Sequence, residues 1–225
     1  MAGEKKILTD KGIETLTGRI NQYCYDKFKK CYPNVISFPL TEFEKKLIST
    51  AKKTLLSMCR NMIAGTMCNK QPYQGFDPTE KRRIVIALHT QTPATSWQIF
   101  DANYDLCESR NFKVKKIFQK VMDKFSADSQ HTVGQLFGNY RYAPYGLNCY
   151  SLYLFIIYVL SLNIKKIIIF DGSMLMIKQH FIDNYLQRDR KMLENLKKIR
   201  VILKTQTDDE ELTDLIKDKK AARLY

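Results

Sequence analysis

The hydrophobic and polar positions of this chain predict a mostly helical fold. In several segments apolar residues recur every three or four positions, which is the spacing of one face of an α-helix. The clearest of these segments opens with Thr41 and Glu44, which have the spacing of a capping box. The apolar stripe of the predicted helix comprises Phe43, Leu47, Ile48, Ala51, Leu55, Cys59 and Met62.

The same pattern predicts helices over residues 10–30, 95–107 and 111–125. The outer face of the third is lined with lysines. A loop at residues 65–79, between the helix that begins at Thr41 and the helix at 95–107, is rich in Gly, Asn, Gln and Pro. This loop predicts a boundary between an N-terminal helical subdomain, residues 1–72, and a second domain, residues 73–225.

The last hundred residues predict a short helix at 132–137, a turn at 142–146 and an apolar helix at 147–162. A β-hairpin follows, with strands at 165–170 and 174–177 around the turn Asp171-Gly172. Helices at 179–188 and 189–197, a strand at 200–203 and a helix at 208–222 complete the chain. The expected fold is mainly α with a small hairpin: a helical bundle plus a winged-helix-like domain. The alternative is an ordinary α+β domain with a small hairpin.

The apolar helix was also considered as a membrane span. Residues 142–164 contain no charged side chain, but the dense apolar part runs only from Cys149 to Leu162. A spanning helix needs about 20 apolar residues. We therefore expect a buried helix in the core and no membrane association.

The charge of the chain bears on its function. Lys and Arg number 37 against 23 acidic residues, which gives a net charge of +14. Such an excess causes self-repulsion in the folded state, and a polyanion relieves it. The leading expectation is a DNA- or RNA-binding domain. The alternatives are a protein-interaction or scaffold subunit that docks an acidic partner, and a lysine-rich composition without a ligand.

The basic residues fall into clusters, several of them around the hairpin and the helices after it. Lys113, Lys116, Lys120 and Lys124 line the outer face of one helix. Tyr140, Arg141, Tyr142 and Tyr145 mix aromatic rings with a cation, as residues that contact a single strand or a nucleic-acid backbone can. The predicted nucleic-acid-binding residues are Lys116, Lys120, Arg141, Lys165, Lys166, Arg188, Arg190, Lys191 and Lys198.

Catalytic patterns are missing from the sequence. It has no phosphate-binding P-loop, no G-x-G-x-x-G and no G-x-S-x-G. The six cysteines form no C-x-x-C pair and the three histidines are scattered, so we expect no metal, no cofactor and no enzymatic activity. Asp171 was considered as a nuclease carboxylate, but its Asp-Gly-Ser context is typical of a hairpin turn.

Cysteine usage and the start of the chain bear on its location. Several cysteines fall on apolar helix faces as free thiols, which indicates a reducing compartment. The first residues, MAGEKK, lack the apolar run of a signal peptide. We expect a cytoplasmic protein.

Two short motifs resemble segments of large prokaryotic P-loop ATPases of phage defence, of the BREX and phosphorothioation-restriction type. Cys31-Tyr32-Pro33-Asn34, followed by Thr41-Glu42-Phe43 and a long helix, resembles one segment. Pro144-Tyr145-Gly146-Leu147 before the apolar helix resembles their "PPYGL" segment, with Ala143 in the first position. The ATPase domain is absent. The resemblance implies that this chain is either a separated C-terminal segment of such an ATPase or a small stand-alone relative, with a winged-helix-like module that engages nucleic acid or docks within a defence complex. It implies a P-loop ATPase as a partner and no catalytic residue here.

Overall fold

The computed structural model describes residues 10–36, 49–66, 88–89, 96–103, 105–126, 131–176, 178–186 and 192–203. This part of the chain is mainly helical, with a small antiparallel sheet. The helices are α1 (Asp10–Cys31), α2 (Ser49–Ala64), α3 (Phe112–Ser126), α4 (Val133–Phe137), α5 (Cys149–Leu162), α6 (Lys178–Tyr185) and α7 (Met192–Lys198), with a 3₁₀ helix at Gly138–Arg141 after α4. The strands are β1 (His131–Thr132), β2 (Ile167–Asp171), β3 (Met174–Met176) and β4 (Arg200–Leu203).

Helix α5 is the centre of the core, and the predicted buried helix is confirmed. Every residue from Ser151 to Ser161 is buried, and α2 packs along the helix. The helix begins at Cys149, two residues later than predicted, because Asn148 caps it. The Asn148 side-chain oxygen accepts a hydrogen bond of 2.8 Å from the Ser151 amide. Among the helices that the structure describes, none has the length and apolarity needed to cross a membrane.

The predicted hairpin and the strand at 200–203 are also confirmed. The sheet order is β1-β4-β2-β3, and all pairings are antiparallel. In the hairpin Ile169 pairs with Met176, and β4 lies on the other side of β2, with Ile168 opposite Ile202. The two-residue strand β1 was not predicted, because so short a segment has no readable alternation of polar and apolar residues.

The predicted helix at 95–107 is wrong. Phe100 instead forms isolated β-bridges to His89 and Leu106. The Asp101 side chain accepts hydrogen bonds from the amides of Asn103 and Asp105, which closes a turn in place of a helical one. Trp97, Ile99 and Phe100 are all fully buried, so this segment enters the core as irregular chain.

Helices α1 and α2 differ in the burial of their predicted apolar faces. Leu55, Cys59 and Met62 of α2 are buried as predicted. In α1, the side chains of residues 18–31 are exposed, including Ile20 at 52% and Tyr23 at 63%. The helix is confirmed, but over residues 18–31 its apolar stripe does not enter the core. The predicted start of α2 at Thr41, most of the 65–79 loop and the helix at 208–222 lie outside the described residues.

Candidate nucleic-acid interface

Helix α3 presents a row of lysines on its outer face. Val114, Ile117 and Val121 turn into the core, whereas Lys116 and Lys120 are exposed. Residues four apart on a helix are separated by about 6 Å along its axis. The row is therefore a line of evenly spaced cations, as the amphipathic pattern predicts.

The row runs beside a pair of tyrosines. Lys120 Nζ donates a 2.7 Å hydrogen bond to the Tyr145 hydroxyl and lies 5.4 Å from the centroid of that ring. Lys124 Nζ lies 6.0 Å from the Tyr140 ring centroid. The two rings meet edge to face, with centroids 4.8 Å apart. These distances fit cation–π contacts, which hold the two ammonium groups in place at the surface.

We call this region the tyrosine–lysine surface. It joins two clusters that the sequence shows only separately, the lysines of α3 and the aromatic run near residue 140. Its members are Lys116, Lys120, Lys124, Tyr140, Arg141, Tyr142 and Tyr145.

A tight turn sets the position of its aromatic residues. The Tyr142 carbonyl accepts hydrogen bonds from the amides of Tyr145, at 2.9 Å, and Gly146, at 3.0 Å. The Tyr142 amide donates to the Asn139 carbonyl at 3.2 Å. Backbone on both sides of the Tyr142 side chain is thus fixed, while the side chain itself is 68% exposed.

Residues 32–35, which follow α1, contact this turn and stabilise it. The Asn34 amide donates a 3.0 Å hydrogen bond to the Pro144 carbonyl, and the Tyr32 ring lies against Gly146. Lys113 Nζ, at the start of α3, donates to the Val35 carbonyl at 3.1 Å. The two motifs that carry the family resemblance therefore contact each other in space.

Arg141 and Lys198 extend the basic surface toward α7. Lys197 forms a 2.8 Å ion pair with Glu194. This pair lowers the pKa of Glu194, with smaller contributions from Arg141 and Lys198. One carboxylate thus lies among three cations, and the local charge remains positive. Burial raises the pKa of the neighbouring Tyr140 to about 12, so its hydroxyl stays neutral at physiological pH.

Lys165 and Lys166 lie elsewhere. Both are exposed in the turn between α5 and β2. Just before them, Asn163 contacts Met122 of α3, with the amide nitrogen 3.5 Å from the sulfur. Met122 is two residues from Lys120, and such residues point about 200° apart around a helix. Asn163 thus lies on the flank of α3 away from Lys120, and Lys165 and Lys166 follow it within three residues.

The remaining predicted cations, Arg188, Arg190 and Lys191, lie outside the described residues. Of the predicted set, Lys116 and Lys120 share the outer face of α3, whereas Arg141 and Lys198 both act on Glu194 of α7. The sequence predicted Lys124 as an outer-face lysine of α3 but not as a nucleic-acid-binding residue. Its signal was the four-residue spacing from Lys120, which places it on the same face.

Two other polar groups near the hairpin have structural partners. Arg200 places its guanidinium 5.5 Å from the Phe170 ring centroid and donates to the Gly172 carbonyl. The pKa of Tyr185 is raised by burial and by a hydrogen bond to Asp171. Asp171 thus links the hairpin to α6. Within the described ranges, no three His, Cys, Asp or Glu side chains are grouped so that they could hold a metal ion.

Comparison of the chain with protein-family models, with curated proteins and with solved structures found no match. The candidate interface is therefore defined by this chain's own residues. It consists of a row of lysines, two tyrosines that contact that row and an exposed tyrosine on a fixed turn.

Proposed function

We propose that this protein binds nucleic acid through the tyrosine–lysine surface, as a non-catalytic component of a larger assembly. One observation carries the proposal: the exposed Lys120 is hydrogen-bonded to the half-buried Tyr145, on the turn that presents the exposed ring of Tyr142. Lys124, beside it on the helix, contacts the buried ring of Tyr140. Cations interleaved with aromatic rings can contact both the phosphates and the bases of a nucleic acid.

The charge of the whole chain supports the same ligand. With a net charge of +14, the chain attracts polyanions over a long range, and this attraction discriminates little between one polyanion and another. Each phosphate neutralised releases counterions, so affinity falls with salt by a logarithmic slope of about 0.7–0.9 per contact. A surface with three lysines in a row and Arg141 nearby predicts a steep salt dependence.

The order of elements supports a winged-helix-like arrangement. Helix α3, strand β1, helix α4, helix α5 and the β2–β3 hairpin follow one another, as in that module. However, α5 is buried along its length, so it offers no polar face to a groove. The ligand is instead expected on α3 and the turn at 142–146. From the motif resemblance, we propose that this module acts beside a P-loop ATPase in an antiviral defence complex.

The test is a pair of charge reversals that change the net charge equally. Lys116→Glu/Lys120→Glu alters the tyrosine–lysine surface, whereas Lys165→Glu/Lys166→Glu alters the turn between α5 and β2. Fluorescence anisotropy with labelled DNA or RNA of 20 nucleotides, at 50 mM salt, measures the affinity. We expect the first variant to bind at least tenfold more weakly and to show a shallower salt slope, and the second to change less than threefold.

Two results would contradict this proposal. Absence of binding by the unmodified chain at low salt would remove nucleic acid as the ligand. Equal weakening by both double variants would show that net charge alone, and not the tyrosine–lysine surface, attracts the nucleic acid. Circular dichroism of each variant checks that its helical content is unchanged.

Helix α1 favours a second candidate function, the docking of an acidic protein. Its exposed Ile20, Tyr23 and Phe28 are unusual for a soluble surface. Lys27 lies 5.4 Å from the Tyr23 ring centroid and Lys29 4.4 Å from that of Tyr25, so cations border the aromatic side chains. This chemistry fits an amphipathic helix whose apolar stripe is flanked by glutamates.

A synthetic helix of that design, with leucines on one face and flanking glutamates, is the probe. Isothermal titration calorimetry should show binding to the unmodified chain and loss of binding to Ile20→Ser/Tyr23→Ser. Retained nucleic-acid binding by this variant would separate the two functions. Equal affinity of the probe for both proteins would rule out α1 as the docking site.

A further inference from the structure

We infer that the ligand of the tyrosine–lysine surface is a single strand, and that Tyr142 is the platform on which an unpaired base stacks. This inference rests on the proposed function and names the ligand class that the surface selects. Phosphate binding alone does not explain why exposed aromatic rings lie on the tyrosine–lysine surface.

Tyr142 combines a fixed backbone with a free ring. Three hydrogen bonds, to the Asn139 carbonyl and from the amides of Tyr145 and Gly146, hold its main chain. Its side chain is nevertheless 68% exposed. An exposed ring on an ordered turn loses little backbone freedom when a base stacks on it, and such pre-organisation favours affinity.

The residues around Tyr142 supply cations for the phosphates on either side of the stacked base. Arg141 precedes it, and Tyr145, three residues later, is hydrogen-bonded to Lys120. A phosphate on each side of a stacked base would therefore meet a cation. Stacking platforms bordered by a basic track are the usual design of single-strand binding surfaces.

A second exposed ring lies at the far end of the lysine row. Phe112 is 77% exposed at the start of α3. It precedes Lys116 by four residues and Lys120 by eight, so all three share one face. The ring is about 12 Å from Lys120 along the helix axis. Phe112 thus adds a second exposed ring to the face that carries the lysine row, where we infer that it stacks on another unpaired base.

A duplex cannot use these rings in the same way. Each base of a duplex is stacked on its neighbours, so neither of its faces is open to a tyrosine. Opening one base costs a few kcal/mol. The lysines would still attract the duplex phosphates. The structure therefore predicts that both forms bind, that the single strand binds more tightly, and that the difference depends on Tyr142.

The experiment compares a labelled 20-nucleotide thymidine strand with a 20-base-pair duplex by fluorescence anisotropy, over a range of salt concentrations. Tyr142→Ala removes the ring, and Tyr142→Phe is the matched control that keeps it. We expect Tyr142→Ala to weaken single-strand binding about tenfold, to change duplex binding less than twofold and to leave the salt slope unchanged. Tyr142→Phe should bind both probes like the unmodified chain. Phe112→Ala should weaken single-strand binding in the same selective way.

The outcomes separate this inference from the function it rests on. Binding of both probes with no preference for the strand, or equal weakening of both by Tyr142→Ala, would overturn the single-strand inference alone. Failure of the unmodified chain to bind either probe at 50 mM salt would overturn the proposed function as well. Because Tyr142 is exposed, the alanine variant is expected to fold, and circular dichroism verifies that it does.

Discussion

The ring of Tyr32 lies directly on Gly146: a Cβ added to this glycine would come within 2.6 Å of Tyr32 Cδ1. Gly146 also has a φ of +62°, a backbone conformation that side chains disfavour. Both constraints act at the turn that holds Tyr142 and Tyr145. The contact therefore connects the segment after α1 to the geometry of the candidate interface.

Replacement of Gly146 by alanine should lower the free energy of unfolding by about 2–4 kcal/mol, because left-handed strain and the clash with Tyr32 add. Gly172→Ala is the matched control. Its φ is +59°, but an added Cβ would meet no atom within 4 Å. We expect a loss of about 1–2 kcal/mol there, from strain alone. Urea denaturation measures both, and equal losses would show that the Tyr32 contact is not a constraint.

The cap of α5 provides a second prediction. Asn148 accepts the hydrogen bond from the Ser151 amide, so Asn148→Ala should cost about 1 kcal/mol of unfolding free energy. Asn148→Asp keeps the acceptor and should be close to neutral. Thermal denaturation of the three proteins checks the order of their stabilities. An alanine variant as stable as the aspartate variant would contradict the capping role.

Tyr158 links α5 to the irregular segment that replaces the predicted helix. Its buried hydroxyl donates to the Cys107 carbonyl at 3.0 Å and accepts from the Ser109 amide at 2.9 Å. Tyr158→Phe leaves both backbone groups without this partner and should cost roughly 1–3 kcal/mol. Tyr23→Phe, on the exposed surface of α1, should change stability by less than about 0.5 kcal/mol. Urea denaturation compares them, and equal effects would contradict this prediction.

Tyr140 predicts a loss of stability at alkaline pH. Burial raises its pKa to about 12 in the folded protein, whereas an unfolded tyrosine titrates near 10. Above pH 10 the unfolded chain releases this proton first. The stabilisation is therefore complete below about pH 10 and is lost as the pH rises toward 12. Urea denaturation across that range should show a smaller decline for Tyr140→Phe than for the unmodified chain; identical declines would contradict it.

The sequence predicted the elements whose patterns are local. α3 and α5 were located within two residues because their apolar positions repeat at helical spacing over several turns. The hairpin was predictable because the turn residues Asp171-Gly172 separate two apolar runs. The helix predicted for residues 95–107 was wrong because Trp97, Ile99 and Phe100 are buried by tertiary contacts, which outweigh a helix-like local pattern.

The candidate site was predictable in its parts but not in its assembly. The lysines of α3 and the tyrosines near residue 140 stood out separately, as charge and aromatic clusters. Their meeting depends on how α3 packs beside the turn, which no local pattern encodes. For the same reason Lys165 and Lys166 could not be separated from Lys120 by sequence, since the packing of Asn163 on the flank of α3 away from Lys120 is a tertiary property.

The hydrogen bond from Asn34 to Pro144 also has a consequence for folding kinetics. It joins positions 110 residues apart in the chain, and contacts of such separation form only after a large loss of loop entropy. α3, the turn and α5 can organise earlier through nearer contacts. Residues 32–34 thus dock onto the turn late, after the turn's own hydrogen bonds have formed, and ligand affinity measured during refolding should recover together with helical content.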